Sequence, residues 1–122
     1  TLLTPHIKLG DTSFDSQKVT IPIDQEKMKV IKNGMRRVVT EGTGTALNLP
    51  TVKVAAKSGT AQVGLGNTNT NSWIVGFFPY DNPKYSFAIL MERGPKSASG
   101  NATQVMREVI DYMSVYTPEY TK

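Results

Sequence analysis

Two apolar runs separated by a turn constrain the fold of this chain more than any other feature. The runs "SWIVGFF" (72–78) and "YSFAILM" (85–91) are apolar at almost every position, so both faces of each strand need cover, as in a sheet with helices packed against it. The intervening "PYDNPKY" has the prolines and asparagine of a turn, which predicts an antiparallel hairpin. A third, alternating strand, "TVKVAAKS" (51–58), precedes them across the polar loop "GLGNTNTN". The patterns together predict a meander of three antiparallel strands.

A first amphipathic helix is predicted upstream of the strands, within "IDQEKMKVIKNGMRRVVTEG" (23–42). Asp24 is placed to cap its start and Gly42 lies where a helix would end. Gly34 inside the helix weakens it by roughly 1 kcal/mol relative to alanine, which suggests close packing at that point. The apolar residues recur at helical spacing. They are Met28, Ile31, Met35, Val38 and Val39.

A second amphipathic helix, "NATQVMREVIDYMSVY" (101–116), is predicted after the strands, with Asn101 or Ser99 as its cap. Its apolar stripe is broad enough to lie across a sheet, and we expect its methionines and tyrosines to be core residues. The stripe consists of Val105, Val109, Tyr112 and Tyr116, with Met106, Ile110 and Met113 beside it. The fold class that follows is α+β, a three-stranded antiparallel meander flanked by two amphipathic helices.

Composition narrows the classes of function. A chain of 122 residues with 39% hydrophobic and 20% charged residues is typical of one globular domain. The net charge is +4, but basic and aromatic residues do not interleave on a strand, which argues against nucleic-acid binding. There is no cysteine, and His6 is the single histidine, so neither thiolate chemistry nor a histidine metal site is expected. No apolar run approaches the roughly 20 residues that a membrane span needs.

The run Lys57-Ser58-Gly59-Thr60 within "VKVAAKSGTAQVG" carries the most chemistry. It offers one positive charge, two hydroxyls and a glycine that lets a ligand approach the backbone, a set that suits a carboxylate. A phosphate loop is excluded because no glycine precedes the lysine, and "GTGTAL" (42–47) lacks the last glycine of a dinucleotide fingerprint. On four residues alone, a strand running into a turn remains the simpler interpretation.

The surroundings of the motif favour a more specific interpretation. "KSGTAQ", a polar loop, "SWIVGFFP", the "DNPKY" hairpin and a closing amphipathic helix, preceded by "GMRRVVTEGTGTA", resemble the C-terminal part of a penicillin-binding protein transpeptidase domain, most closely the class B kind. The resemblance extends from about Thr4 to Met113. It implies part of the five-stranded fold shared with serine β-lactamases, a serine acyl-enzyme, and no metal or cofactor.

The resemblance implies roles for four residues. Lys57 would place a positive charge beside the nucleophile, and Gly59 would leave the strand edge bare for a peptide. The hydroxyls of Ser58 and Thr60 would hold the carboxylate of a stem peptide or β-lactam. The backbone N–H of Thr60 would donate to the oxyanion. Ser58 departs from the usual K-T-G signature but keeps the hydroxyl.

The other two signatures of the family are missing from this chain. No serine is followed by lysine three residues on, and the triplet Ser99-Gly100-Asn101 matches S-x-N on the wrong side of the motif. Without a nucleophile and its base in one site there is no acyl-enzyme. We therefore expect residues 1–122 to be an incomplete single domain, the C-terminal fragment of a longer protein, inactive alone and completed by the upstream part.

Several expectations follow from the resemblance, together with alternatives that stay open. The parent is expected at the outer face of the bacterial cytoplasmic membrane, as a peptidoglycan D,D-transpeptidase. Alone, the fragment would expose apolar patches and a strand edge, which predicts self-association, a domain swap or pairing with the rest of the domain. A D,D-carboxypeptidase, a β-lactamase, a β-lactam sensor or a non-catalytic binding or structural module is compatible with the same residues.

Overall fold

The computed structural model describes residues 20–95 and 101–121. Helix α1 spans Gln25–Thr40, and strands β1, β2 and β3 span Ala55–Val63, Asn69–Phe78 and Tyr85–Pro95. Helix α2 spans Ala102–Tyr116. Single turns of 3-10 helix lie at Thr45–Leu47, Leu65–Asn67 and Pro118–Tyr120. The strands pair antiparallel in the order β1-β2-β3. The predicted α+β class and the three-stranded meander are confirmed.

One face of the sheet and helix α2 form the core. Ile74 and Phe78 of β2 are buried in one cluster with Met106 and Ile110 of α2. Met106 and Ile110 therefore confirm the prediction that this helix packs on the sheet. The remaining buried members come from α1, the segment between α1 and β1, β1 itself and the start of α2. They are Val39, Leu47, Leu49, Val52, Val54, Ala56 and Ala102.

The tyrosines of α2 do not belong to this core, and the prediction that they would is wrong. Tyr112 and Tyr116 are 62% and 67% exposed, and their rings pack on one another with centroids 4.5 Å apart. The apolar stripe of α2 is wider than the contact that one sheet face makes with it. The sheet covers the side that carries Met106 and Ile110, and the tyrosines lie on the outer side.

Both predicted helix caps at described positions are confirmed. The Asp24 carboxylate accepts a hydrogen bond from the Glu26 N–H at 2.8 Å. The Asn101 side chain accepts from the N–H groups of Thr103 and Gln104 at 2.9 and 3.2 Å. Ser99, the alternative cap for α2, lies outside the described residues. The close packing expected at Gly34 is wrong, because no described atom lies within 4 Å of a Cβ built there.

Strand β1 differs from the predicted strand at both ends. It begins at Ala55, after the buried residues Val52 and Val54, and it continues to Val63. The segment before β1 is held by a backbone hydrogen bond outside the strand pairing, in which the Lys53 carbonyl accepts from the Tyr80 N–H at 2.8 Å. The Lys-Ser-Gly-Thr run therefore lies in the middle of a nine-residue strand, whereas the sequence placed it at a strand end.

Candidate functional site

The Lys-Ser-Gly-Thr run lies on the edge strand of the described sheet. β1 pairs only with β2 there, with Ser58 opposite Ile74 and the rest of the run in the same continuous register. Because side chains alternate along a strand, Ser58 and Thr60 lie on the face that α2 covers. Lys57 and Gly59 lie on the other face. The motif thus presents its hydroxyls and its ammonium group on opposite sides of one strand.

A small cavity of about 140 Å³ lies where β1, β2, the loop after α1 and the start of α2 meet. Three of the four predicted site residues line it, and Lys57 does not. The lining is rich in hydroxyl groups and carries no charged side chain. It consists of Thr43, Ser58, Gly59, Thr60, Ser72, Trp73, Asn101 and Thr103. The structure therefore brings the predicted carboxylate-binding residues together at one place.

Lys57 lies beside this cavity and is exposed. Its ammonium group donates a hydrogen bond to the backbone carbonyl of Ser58. The side chain is therefore folded along its own strand, close to the motif but outside the lining of the cavity. Its predicted partner, a nucleophilic serine in an S-x-x-K signature, is not present in the sequence.

Sequence reasoning missed five residues of the cavity lining, and one of them, Thr43, contacts the side chain of a motif residue. The other four are Ser72, Trp73, Asn101 and Thr103. The hydroxyl oxygen of Thr43 lies 2.5 Å from the hydroxyl oxygen of Ser58. Thr43 belongs to "GTGTAL", which the sequence analysis rejected as a nucleotide-binding fingerprint, and to "GMRRVVTEGTGTA", which contributed to the family resemblance without a role for Thr43. The signal available was its composition, a threonine between two glycines shortly before the motif strand.

The start of α2 is tied to the sheet at the cavity. Ser72 of β2 accepts a hydrogen bond from the Ala102 N–H at 3.1 Å. Asn101 already accepts from two backbone N–H groups as the helix cap. Its side-chain oxygen is therefore engaged in the fold, as the N-cap of α2.

The described residues contain no group of three or more His, Cys, Asp or Glu side chains that could hold a metal ion. Within residues 20–95 and 101–121, neither helix is long and apolar enough to cross a membrane.

Comparisons with known proteins agree with one family. A family model described as "Penicillin binding protein transpeptidase domain" matches residues 1–111. The peptidoglycan D,D-transpeptidase MrdA of Haemophilus influenzae is 35% identical over 97 residues, which cover 66% of this chain and 15% of that protein. MrdA of Acinetobacter baumannii is 30% identical over 102 residues, covering 73% of this chain and 15% of that protein.

Solved structures give the same picture. Penicillin-binding protein 2B of Streptococcus pneumoniae aligns with a TM-score of 0.69 at 25% identity, over 79% of this chain and 17% of that one. PBP2 of Pseudomonas aeruginosa, crystallised in complex with WCK 5153, aligns with a TM-score of 0.64 at 31% identity, over 88% of this chain and 23% of that one. The chain spans about 15% of the length of the MrdA relatives.

Proposed function

Because this chain belongs to the family of penicillin-binding protein transpeptidase domains, of the class B kind, we propose that residues 1–122 are the C-terminal part of a peptidoglycan D,D-transpeptidase domain. The complete domain would act through a serine acyl-enzyme whose serine lies outside this sequence, since no S-x-x-K occurs in it. The role of this part is to bind the substrate carboxylate and to stabilise the oxyanion. Alone, it is inactive.

The observation that carries this proposal is the pair of hydroxyls on one strand face at the cavity. Ser58 and Thr60 are two residues apart on β1, which separates their Cα atoms by about 7 Å, and both line the 140 Å³ space. Two hydroxyl donors at that spacing suit the two oxygens of one carboxylate. The terminal carboxylate of a stem peptide, or that of a β-lactam, would bind here.

The edge position of β1 supports the oxyanion role of Thr60. In antiparallel pairing, successive residues direct their N–H and C=O groups alternately toward and away from the partner strand. The Ser58 carbonyl accepts a hydrogen bond from the ammonium group of Lys57, which is possible for a carbonyl that points away from β2. Thr60, two residues on, would direct its N–H to the same open side, where a donor to an oxyanion is needed.

Gly59 supports the approach of a peptide to this edge. A Cβ at Gly59 would lie 3.6 Å from the Cβ of Trp73, an ordinary van der Waals contact. Neither a close contact nor a left-handed backbone therefore requires a glycine at this position. A substrate that lies against the strand would explain the glycine at this position, whereas packing within the chain does not.

The parent protein would act in the bacterial cell envelope, where peptidoglycan is cross-linked, at the outer face of the cytoplasmic membrane. Its partners would be stem peptides and β-lactams in the complete domain, and the upstream part of the same domain. We propose that this upstream part covers the exposed sheet face, where Trp73 and Val75 are each 40% exposed.

Acylation by a fluorescent penicillin tests the proposal in the complete domain. Lys57→Ala should lower the acylation rate by at least about 100-fold, because the charge beside the nucleophile is lost. Lys53→Ala is the matched control, since Lys53 is an exposed lysine four residues away that pairs with Asp81 at 2.8 Å. Its rate should stay within about twofold of wild type. Equal rates for the two variants would refute the role of Lys57.

Intact-mass analysis tests whether the acylated serine lies outside residues 1–122. Penicillin should leave no adduct on residues 1–122 alone, and one adduct on the complete domain at a serine outside them. An adduct on the isolated chain would place a nucleophile within it and refute the proposal. Transfer of the acyl group to an amine acceptor, measured against release to water, distinguishes a transpeptidase from a hydrolase of the same fold.

A further inference from the structure

We propose that Thr43 is a positioning residue for the carboxylate site, acting through the hydroxyl of Ser58. The two hydroxyl oxygens lie 2.5 Å apart, and both residues line the same cavity. Thr43 donates its hydrogen to the Ser58 oxygen and so leaves the hydrogen of Ser58 free to point into the cavity. This inference rests on the proposed function, because it takes the cavity as a carboxylate site.

Either hydroxyl can be the donor in this contact, and hydrogen counting gives the direction that a bound carboxylate favours. Each hydroxyl has one hydrogen and two acceptor lone pairs, and the contact between two of them uses one hydrogen. If Ser58 donated to Thr43, Ser58 would have no hydrogen left for a ligand. A carboxylate accepts only, so its arrival favours the arrangement in which Thr43 donates to Ser58 and Ser58 donates to the carboxylate. Such a chain of donors also strengthens the last bond by polarisation.

The fold holds Thr43 in place from the side of α1. The N–H groups of Gly42 and Gly44, on either side of Thr43, both donate to the Val38 carbonyl, at 3.2 and 2.9 Å. A Cβ at Gly42 or Gly44 would lie 3.1 or 3.2 Å from atoms of Val38. The two glycines therefore allow the loop to lie close against the end of the helix, with the threonine between them directed at Ser58.

The same loop is held from the side of α2. Arg107 donates a hydrogen bond to the Ala46 carbonyl at 2.9 Å, and its guanidinium also pairs with Asp111 at 2.6 Å. Leu47, one residue further along the loop, is fully buried. The loop that carries Thr43 is therefore fixed by both helices. Thr43 itself is exposed, and this loop sets its place in the cavity lining.

A positioning role and a structural role predict different effects of Thr43→Val, which removes the hydroxyl and keeps the shape. Since Thr43 is exposed, loss of its hydroxyl should leave the thermal midpoint of unfolding of the domain nearly unchanged. The positioning role predicts weaker binding only of ligands with a free carboxylate. A structural role predicts that binding weakens equally for ligands with and without the carboxylate.

The experiment measures acylation of the complete transpeptidase domain by a penicillin and by the methyl ester of the same penicillin. The concentration dependence separates the half-saturating concentration from the limiting acylation rate. Thr43→Val should raise the half-saturating concentration for the free acid about fivefold, as expected for the loss of one neutral hydrogen bond that orients the donor to the carboxylate. It should change the limiting rate, and both values for the ester, by less than about twofold. Thr43→Ser, which keeps the hydroxyl, should restore the wild-type values.

Ser58→Ala separates failure of this inference from failure of the proposed function. If Ser58→Ala abolishes the preference for the acid over the ester and Thr43→Val leaves it intact, the carboxylate site stands and the positioning role of Thr43 is refuted. If neither variant changes the preference, the cavity is not the carboxylate site and both proposals fall. Equal losses for acid and ester in Thr43→Val, with Thr43→Ser unrescued, would also refute the positioning role.

Discussion

The same substitution, glycine to alanine, should have opposite effects on stability at two positions of this chain. Gly34 is exposed in the middle of α1, and no described atom lies within 4 Å of an added Cβ. Gly76 is buried in β2, and its added Cβ would lie 2.3 Å from the backbone oxygen of Ala55 and 2.7 Å from the ring of Phe87. Gly34→Ala should therefore stabilise the chain and Gly76→Ala should destabilise it.

The magnitudes follow from these two environments. At Gly34, alanine restores helix propensity without a clash, which is worth about 0.5–1 kcal/mol. At Gly76, the nearest atom is backbone in the strand that pairs with it, with Ala56 opposite Gly76. Relief of the clash would require β1 to shift away from β2. We expect a loss of about 3 kcal/mol, at the upper end of what overpacking costs.

Urea unfolding of the 122-residue chain, followed by far-UV circular dichroism and by the fluorescence of its single tryptophan, measures both changes. With a dependence of about 1.5 kcal/mol per M, Gly34→Ala should raise the midpoint by about 0.5 M and Gly76→Ala should lower it by about 2 M. An unchanged midpoint for Gly76→Ala would refute the packing at the β1–β2 contact. A lowered midpoint for Gly34→Ala would show that another part of the chain packs against α1 there.

Three further predictions concern the same scaffold. Asn101→Ala should lower the free energy of unfolding by about 1 kcal/mol, because the Thr103 N–H loses its cap; an unchanged urea midpoint would contradict this. Ile110→Ala should cost about 2–5 kcal/mol, whereas Val115→Ala on the exposed side of α2 should cost less than about 0.5 kcal/mol in the same assay; equal costs would mean that α2 packs differently. Val75→Lys should shift the isolated chain toward monomer in sedimentation velocity, because Val75 lies on the exposed sheet face; an unchanged distribution would exclude that face as the contact between copies.

The elements that could be predicted from the sequence are those with a local pattern. The turn between the two apolar runs is short, so the hairpin of β2 and β3 needs no knowledge of distant residues. Asp24 and Asn101 could be assigned as caps because a cap binds N–H groups two or three residues away. The presence of the three strands and the two amphipathic helices also follows from short-range hydrophobic periodicity.

The outer side of α2 shows the limit of that periodicity. Its spacing marks a wide apolar stripe but does not say which part of the stripe faces the sheet. The register of packing selects Met106 and Ile110 and leaves Tyr112 and Tyr116 exposed. The length of β1 has the same origin. Its mostly polar stretch from Lys57 to Gln62 lacks a strand pattern of its own, and its pairing with β2 makes it part of the strand.

Thr43 could not have been predicted as part of the site, and the reason is physical. It lies fifteen residues before Ser58, and nothing in the intervening letters marks a contact between them. The glycines beside it do not complete a nucleotide-binding fingerprint; they bring the loop within hydrogen-bonding distance of the Val38 carbonyl. The hydroxyls of Thr43 and Ser58 come into contact because the end of α1 and Arg107 hold the loop against the edge of β1. The motif strand supplies the groups that would bind a carboxylate, and a loop with no motif of its own sets the direction in which one of them donates.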